Sequence, residues 1–228
     1  MPEIFPAKFP GLTERIRVGP APVFLQYHHP MHIAGRLAFL DHMSHGRLNV
    51  CFGPGAIPTD MEVFGAHPRE MGARVTESMD MILRLWKGHP PLDIEGEFWN
   101  FRMKDNVHAE FGVGHLHKPY QRPRPSIYVP SISRSSVGLT KAAERGFRFI
   151  SHHMVHANTL HDQWHSYSEA TASIGRTAAP SDWAVARNVF VADSTDEARR
   201  LARGNSLGAC IQSILDLTQA TAPNGVAL

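Results

Sequence analysis

The sequence predicts a parallel α/β fold. Five short apolar runs alternate with helical patterns along the chain, and most of the runs contain β-branched or aromatic residues. The shorter runs do not alternate apolar with polar residues, which is typical of strands that are buried on both faces of a parallel sheet. The predicted strands are Ile16–Leu25, Leu48–Phe52, Ile127–Val129, Phe147–Ser151 and Trp183–Ala192.

Helical patterns fill the intervals between these strands. Four of them show apolar residues at helical spacing followed by a glycine, and they cover residues 33–40, 71–86, 136–145 and 160–174. A fifth begins at Ser194, which with Glu197 three residues later matches a capping box. Strands joined by helices build either an open doubly wound sheet or part of a barrel, because five strands do not close an eight-stranded barrel.

Composition excludes several classes of protein. Of 228 residues, 43% are hydrophobic and 19% charged, so the chain is globular rather than disordered. A net charge of +2 without a run of lysine or arginine argues against a nucleic-acid binder. The chain has neither a signal peptide pattern nor a stretch of about 20 apolar residues, so no membrane association is expected. Its two cysteines, Cys51 and Cys210, are both expected to be small core residues in a reducing cytoplasm.

We expect a single domain over residues 1–228. Residues 89–126 interrupt the strand–helix order as a long loop rich in proline, glycine and histidine. Within it, the segment EGEFWNF (95–101) is predicted to form a small hairpin. Loops of this length in compact domains are usually functional or poorly ordered.

The segment SISRSSVG (131–138) has the features of an anion site. It follows a predicted strand and opens a helix, where free N–H groups and the helix dipole favour negative charge. Ser135 and Ser136 add hydroxyl donors, Arg134 adds a positive charge and Gly138 leaves room for a phosphate. The alternative is an ordinary serine cap beside a solvent-facing arginine.

Two other segments lie at strand ends. FGPGAIPTD (52–60) carries Gly53 and Gly55, which could let a flat ligand come close, although a plain turn is the alternative. GPAPVF (19–24) places Pro20 and Pro22 inside a strand, which predicts a bulge or an irregular peptide bond near Ala21–Pro22.

Histidines follow the ends of two predicted strands. His28 and His29 follow the first strand, and His152 follows the strand that ends at Ser151, so His29 and His152 are candidates for orienting a substrate or moving a proton. Polar loop residues are the alternative. The segment HDQWH (161–165) imitates a zinc-peptidase motif, but it lacks the glutamate base and a third ligand, so a solvated helix face is favoured. No metal site is predicted.

Taken together, these motifs resemble the bacterial luciferase-like family of flavin-dependent monooxygenases. The strongest match is YHHPMHIAGRLAFLDHMSHGRLNVCFGPGAIPTDMEVFG (27–65). It is followed in order by Arg74 and Glu77, LWKG, EGEFWNF, PYQRPRPSIYV and SISRSSVGLTKAAERG. The forms YHHP and GPGA are most similar to the limonene-monooxygenase-type branch of the family.

The resemblance implies a (β/α)8 TIM-type barrel, here incomplete with about five of eight strands. It implies that reduced FMN and dioxygen oxygenate a small organic substrate, and that a separate flavin reductase supplies the reduced FMN. By match, four residues would hold the FMN phosphate, namely Arg134, Ser135, Ser136 and Gly138. Gly53 and Gly55 would lie near the flavin ring, the strand at Ala21 beneath it, and His29 matches the histidine of the family's HP motif.

Two alternatives stay open within this reading. The first is a deazaflavin-dependent oxidoreductase of the same fold. The second is an inactive flavin-binding fragment, since the family's first two strand–helix units and its last strand have no counterpart in this sequence. A homodimer is a further expectation.

Overall fold

Strands and helices alternate along the residues that the structure, a computed structural model, describes, which are 3–55 and 57–221. The strands are β1 (Val23–Phe24), β2 (Asn49–Gly53), β3 (Leu92–Ile94), β4 (Phe101–Met103), β5 (Ser126–Ser131), β6 (Arg148–Ser151) and β7 (Trp183–Val185). The helices are α1 (Pro30–Met43), α2 (Pro58–Val63), α3 (Met71–Lys87), α4 (Val137–Glu144), α5 (Ala157–Ser173), α6 (Thr195–Gly204) and α7 (Ser206–Thr221). Short 3-10 helices cover Pro6–Lys8, Ala109–Phe111 and Pro180–Asp182.

The main sheet has the order β1-β2-β5-β6-β7, and β2 pairs in parallel with both β1 and β5. Each new strand is added on the same side as the previous one, whereas a doubly wound sheet reverses its order at a switch point. The order therefore indicates part of a barrel, as expected. Within the described residues the five strands form a linear order and do not close.

The chain divides into two compact units, and the first comprises Met1–Pro130 with Ala142–Phe149. Its core lies between the strands and the apolar sides of α1 and α3. Central core side chains, each no more than 2% exposed, are Leu25, Ile33, Leu37, Val50, Phe52, Ile82, Leu85 and Ile127. A core of this kind stabilises the unit by removing apolar surface from water, at about 25 cal/mol per Å².

The second unit comprises Ser131–Lys141 and Ile150–Leu228. In it, α5 buries Tyr167, and the indole of Trp164 stacks on that of Trp183 with 5.5 Å between ring centroids. Backbone hydrogen bonds continue past the strand ends, from His152 N to Ser131 O and from Ala186 N to Ser151 O, both 3.0 Å. These bonds bring the segments after β5, β6 and β7 side by side.

The predicted helices are confirmed, because their signals are local. Pro30 occupies the first turn of α1, where its missing N–H costs nothing. The chain leaves α1, α4 and α5 through Gly46, Gly146 and Gly175, each in the left-handed conformation. Ser194 caps α6 by accepting a hydrogen bond from Glu197 N at 3.2 Å, as predicted.

Two predicted strands are much shorter than expected. Of Ile16–Leu25 only Val23–Phe24 is a strand, with one isolated bridge from Val18 to Leu48. Pro20 and Pro22 lack the N–H that a ladder needs. Of Trp183–Ala192 only Trp183–Val185 is a strand, and Val189 and Val191 beyond it are 77% and 85% exposed. These apolar residues do not continue strand β7, because no strand among the described residues pairs with them.

The long loop over 89–126 contains a hairpin, but not at the predicted place. The antiparallel strands β3 and β4 flank residues 95–100, so most of EGEFWNF is the turn rather than the strands. Asp93 and Lys104 form an ion pair across the hairpin. The sequence pattern of this segment did not distinguish the turn residues from the strand residues.

Two further observations concern the core and the membrane. Cys51 is buried, as expected, but Cys210 is exposed, which corrects its assignment to the core. Its helix α7 is poorly buried, since Ile214 and Leu217 on it are also exposed. Among the described helices, none combines the length and apolar character needed to cross a membrane.

Candidate functional site

In the first unit, the segment after β1 lies against the end of β2. Leu25 N donates to Gly53 O at 3.0 Å, and the Gln26 side-chain Nε2 donates to Gly55 O at 3.0 Å. Ser78 on α3 donates from its hydroxyl to Leu25 O at 3.0 Å. Parallel strands place their carboxyl ends on one edge, which is where α/β proteins build their sites.

Gly53 and Gly55 are explained by packing within the chain. A Cβ at Gly53 would lie 2.8 Å from Cβ of Pro22. At Gly55, which has a left-handed φ of +75°, a Cβ would lie 2.6 Å from the ring of Tyr27. The sequence predicts that a flat ligand comes close to these glycines, but on their Cβ side the space is occupied by the side chains of Pro22 and Tyr27. The Ala21–Pro22 bond is cis, which confirms the predicted irregularity.

Two buried polar atoms at this strand end have no hydrogen-bond partner among the described residues. They are Oε1 of Gln26 and the hydroxyl of Tyr27, in side chains that are 2% and 7% exposed. Burial, followed by the nearby charge of Asp60, raises the pKa of Tyr27, so its hydroxyl keeps its proton. The Gln26 side chain lowers the same pKa, so these two buried groups lie close enough to interact with each other although neither makes a hydrogen bond of standard geometry.

His29 caps α1 with its side chain. Its Nδ1 accepts a hydrogen bond from Met31 N at 3.1 Å, and its Nε2 lies 3.0 Å from Asn100 O. Since Nδ1 accepts and a carbonyl can only accept, the proton is assigned to Nε2. The indole of Trp99 meets the imidazole edge-on at 5.5 Å. The structure therefore gives both ring nitrogens of this candidate catalyst a partner, and its chemical role stays a prediction.

The loop that touches His29 is held by one carboxylate. Glu77 on α3 accepts hydrogen bonds from three successive backbone N–H groups, those of Glu97 at 2.9 Å, Phe98 at 3.0 Å and Trp99 at 2.7 Å. A Cβ at Gly96 would lie 2.3 Å from Oε1 of Glu77, so only glycine fits beside the carboxylate. Arg74 lies over the ring of Phe98 in the same loop, 4.6 Å from its centroid, so both Arg74 and Glu77 of the family pattern contact this loop.

In the second unit, the segment SISRSS forms the turn into α4. The hydroxyl of Ser136 accepts from Leu139 N at 3.1 Å and so caps the helix. The N–H groups of Val137 and Gly138 are the first two of the helix, and N–H groups at this position have no partner within the helix. A Cβ at Gly138 would meet only the Ser136 hydroxyl, at 3.8 Å, so the approach to these amides is open. The turn therefore fits an anion as well as an ordinary capped helix.

The charge of this turn is partly balanced. Arg134 Nη1 lies 3.6 Å from a carboxylate oxygen of Asp162, and both side chains are exposed. Ser135 is exposed as well. Exposed ion pairs contribute roughly 0–1 kcal/mol, so a doubly charged phosphate can replace Asp162 as the partner of the guanidinium.

His152, the second candidate catalyst, also belongs to this unit. Its Nδ1 accepts from Met154 N at 3.4 Å, which leaves Nε2–H as a donor. Burial, and then the neighbouring His153, lowers the pKa of His152 below its ordinary value of 6.5. The imidazole is therefore neutral at pH 7 and can donate a hydrogen bond without adding charge. That it does so to a ligand stays a prediction.

The zinc-like segment HDQWH does not gather ligands. The side chains of His161 and His165 are 87% and 67% exposed, and the nearest carboxylates to them are Asp162 and Glu169. Among the described residues, no group of three histidine, cysteine, aspartate or glutamate side chains is arranged to hold a metal ion.

Sequence reasoning missed two residues that organise these loops, Glu77 and Gln163. Glu77 appeared only as part of a pattern, and Gln163 only as the centre of HDQWH. Both contact backbone groups more than twelve positions away in the chain. A lone polar residue at an inward position of a helix is the only local signal that could have identified them.

Comparison with known proteins places these features in a family. A family model described as "Luciferase-like monooxygenase" matches residues 10–222. The chain is 33% identical to 4-hydroxyprotoasukamycin monooxygenase of Streptomyces nodosus subsp. asukaensis, over 86% of this chain and 52% of that protein. It is 29% identical to limonene 1,2-monooxygenase of Rhodococcus erythropolis, over 87% of this chain and 49% of that protein. The chain spans about half the length of these relatives.

A solved structure supports the same conclusion. It is the oxygenating constituent of 3,6-diketocamphane monooxygenase from Pseudomonas putida in complex with FMN, a type II Baeyer-Villiger monooxygenase. The two share 27% identity and superpose with a TM-score of 0.84, over 96% of this chain and 61% of that one. Strand order, family model and superposition agree, and the chain therefore belongs to the luciferase-like monooxygenase family.

Proposed function

We propose that this chain is the FMN-binding part of a flavin-dependent monooxygenase that oxygenates a small organic substrate with reduced FMN and dioxygen. The observation that carries the proposal is the turn into α4: the helix begins at Val137, a Cβ at Gly138 would meet only the Ser136 hydroxyl, and the same turn carries the exposed guanidinium of Arg134. A phosphate requires N–H donors and positive charge in this arrangement. The FMN in the related 3,6-diketocamphane monooxygenase structure supports the choice of ligand.

In this proposal the turn into α4 holds the phosphate. Arg134, Ser135 and Ser136 supply charge and hydroxyl donors, and Gly138 leaves the backbone accessible. When bound, reduced FMN supplies the electrons that activate dioxygen. The residues of the chain bind and orient the cofactor, and His29 and His152 are the candidates for acting on the substrate or flavin. Of the two, His152 has a free Nε2–H that can donate a hydrogen bond.

The flavin ring is proposed to lie near Ala21, Gly53 and Gly55. Because Pro22 and Tyr27 take the space on the Cβ side of the two glycines, the ring would contact the backbone there rather than enter a gap left by missing side chains. The unpartnered hydroxyl of Tyr27 is at the same strand end.

The partners stay predictions: a small organic substrate, dioxygen, a separate flavin reductase and a second copy of the chain. The relative described as an "oxygenating constituent" supports a separate reductase. A cytoplasmic location is likewise a prediction.

Titration with three ligands tests the proposal. FMN, riboflavin and a deazaflavin cofactor are titrated into the purified chain while flavin fluorescence is followed. We expect FMN to bind and the Arg134→Ala and Ser135→Ala variants together to weaken it by roughly 1–3 kcal/mol, the value of charged hydrogen bonds. Riboflavin affinity should stay unchanged, because riboflavin has no phosphate.

Arg176, an exposed arginine beyond α5, provides the control variant Arg176→Ala. Equal losses for FMN in both variants would show a general charge effect and overturn the assignment of the phosphate site. Tighter binding of the deazaflavin than of FMN would favour a deazaflavin-dependent oxidoreductase instead.

A further inference from the structure

The segment HDQWH, residues 161–165 on α5, has no zinc chemistry but presents its three central side chains in a distinct arrangement. His161 and His165 point outward, whereas Gln163 between them is fully buried. Asp162 lies near Arg134, and Trp164 stacks on Trp183. The central residues of the segment therefore contact the turn before α4 and strand β7.

Gln163 is the middle of a buried chain of hydrogen bonds. Trp183 Nε1 donates to the Ser151 hydroxyl at 2.8 Å, and this hydroxyl donates to Gln163 Oε1 at 2.6 Å. Gln163 Nε2 then donates to Ser133 O at 2.8 Å. The direction is unambiguous, because an indole can only donate and a carbonyl can only accept. A glutamate at position 163 would lack the N–H donor to Ser133 O, and a leucine would lack both this donor and the acceptor for the Ser151 hydroxyl.

We propose that Gln163 is a positioning residue that orients the turn 133–136 for phosphate binding, an inference that rests on the proposed function. In a trans peptide the carbonyl of one residue and the N–H of the next point in opposite directions. Gln163 fixes Ser133 O toward the buried side, so the N–H of Arg134 points away from Gln163. The orientation of this one peptide in the turn is thereby set before any ligand arrives.

Asp162 complements this orientation from the adjacent position on α5. Its carboxylate holds the exposed guanidinium of Arg134 at 3.6 Å, on the same turn. Further hydrogen bonds order the turn, from the Ser133 hydroxyl to Ser135 O at 3.0 Å and from the Ser131 hydroxyl to Ser133 O at 3.4 Å. Two neighbouring side chains of one helix therefore face the turn: Gln163 bonds its backbone, and Asp162 lies near its cation.

The test compares Gln163→Glu and Gln163→Leu with the wild type and with Gln212→Glu, a change of an exposed glutamine on α7. Amide hydrogen exchange is measured in the flavin-free protein. We expect the amides of Leu139 and Thr140, which donate to Ser136 O where the turn enters α4, to exchange roughly tenfold faster in both Gln163 variants, the effect of losing about one hydrogen bond, with the interior of α3 unchanged. Wild-type protection of these amides in both variants would overturn the proposal.

A second measurement separates phosphate from ring binding. We expect both Gln163 variants to lose roughly tenfold in FMN affinity and to keep riboflavin affinity within about twofold. An equal loss for both flavins would mean that Gln163 supports the unit in general, and it would overturn the positioning role. If the wild type binds neither flavin, the proposed function fails, whereas the exchange comparison still decides whether Gln163 holds the turn.

If the variants do not fold, the wild type still tests the arrangement. The side-chain amide protons of Gln163 should exchange slowly in nuclear magnetic resonance spectra, because they are buried and bound to Ser133 O. Exchange as fast as that of the exposed Gln212 side chain would overturn the proposal.

Discussion

The carboxylate of Glu77 accepts a hydrogen bond from the backbone N–H of Trp99 at 2.7 Å, and this contact connects helix α3 to the loop that touches His29. The same carboxylate binds the N–H groups of Glu97 and Phe98. One further residue along, Asn100 O accepts from His29 Nε2 at 3.0 Å. A helix side chain thus fixes the position of an imidazole that it does not touch.

Replacing Glu77 by glutamine should loosen this loop. Glutamine keeps one acceptor oxygen but removes the charge and one of the two oxygens, so we expect a loss of roughly 1–3 kcal/mol in the free energy of unfolding, measured by urea denaturation. Glu62→Gln, at an exposed position of α2, should change it by less than about 0.5 kcal/mol. Equal effects would show that the three amide contacts do not stabilise the protein.

Gly96→Ala should be destabilising where Gly72→Ala is not. An added Cβ at Gly96 would lie 2.3 Å from Oε1 of Glu77 and 2.8 Å from Trp99 O, so the loop must move, at a cost of roughly 1–3 kcal/mol. At Gly72, the second residue of α3, the space around a Cβ is open, and alanine should change stability by between 0 and about 1 kcal/mol in the stabilising direction. Thermal denaturation of both variants measures the difference, and a tolerated Gly96→Ala would contradict the crowding.

Two variants of His29 should separate its capping role from a chemical one. Because asparagine caps helices well, His29→Asn should retain stability, whereas His29→Ala should lose about 1 kcal/mol. If His29 acts on the substrate or flavin, both variants should lower oxygenation while FMN affinity falls less. Recovery of oxygenation in His29→Asn would show that the residue serves only as a cap.

Acid should destabilise the protein partly through His152. Its pKa is lowered by burial and by His153, so the unfolded chain binds more protons as the pH falls below 6.5. The free energy of unfolding is therefore at its full value with respect to His152 above pH 6.5, and it decreases progressively as the pH falls below 6.5. In urea denaturation between pH 7.5 and 5.5, His152→Gln should lose less stability than the wild type. His161→Gln, at an exposed histidine, should follow the wild type.

The two cysteines should differ sharply toward a thiol reagent. The thiolate is the reactive form, and burial raises the pKa of Cys51 to about 12. Cys210 is exposed on α7. We expect the thiol of Cys210 to react quickly in the native protein, and this fast reaction to be absent in Cys210→Ser. The thiol of Cys51 should react only after unfolding. Fast reaction of both in the native state would contradict the burial of Cys51.

The sequence by itself determined the parallel α/β class and the positions of the helices α1, α3, α4, α5 and α6. These depend on local signals that act within a few residues: Pro30 at the start of α1, Gly46 and Gly146 after α1 and α4, and the serine cap at Ser194. Capping side chains and helix-ending glycines act on the backbone of neighbouring residues, so they can be recognised from the sequence alone.

Tertiary structure alone decided which strands could extend and which polar groups meet. The strand from Trp183 ends early because no neighbouring strand pairs with Val189 and Val191 in the part of the chain described here. Glu77 meets the N–H of Trp99 across 22 positions, and Gln163 meets Ser133 O across 30. A hydrogen bond requires two groups within about 3 Å, and for residues so far apart in sequence only the packing of α3 and α5 provides that approach.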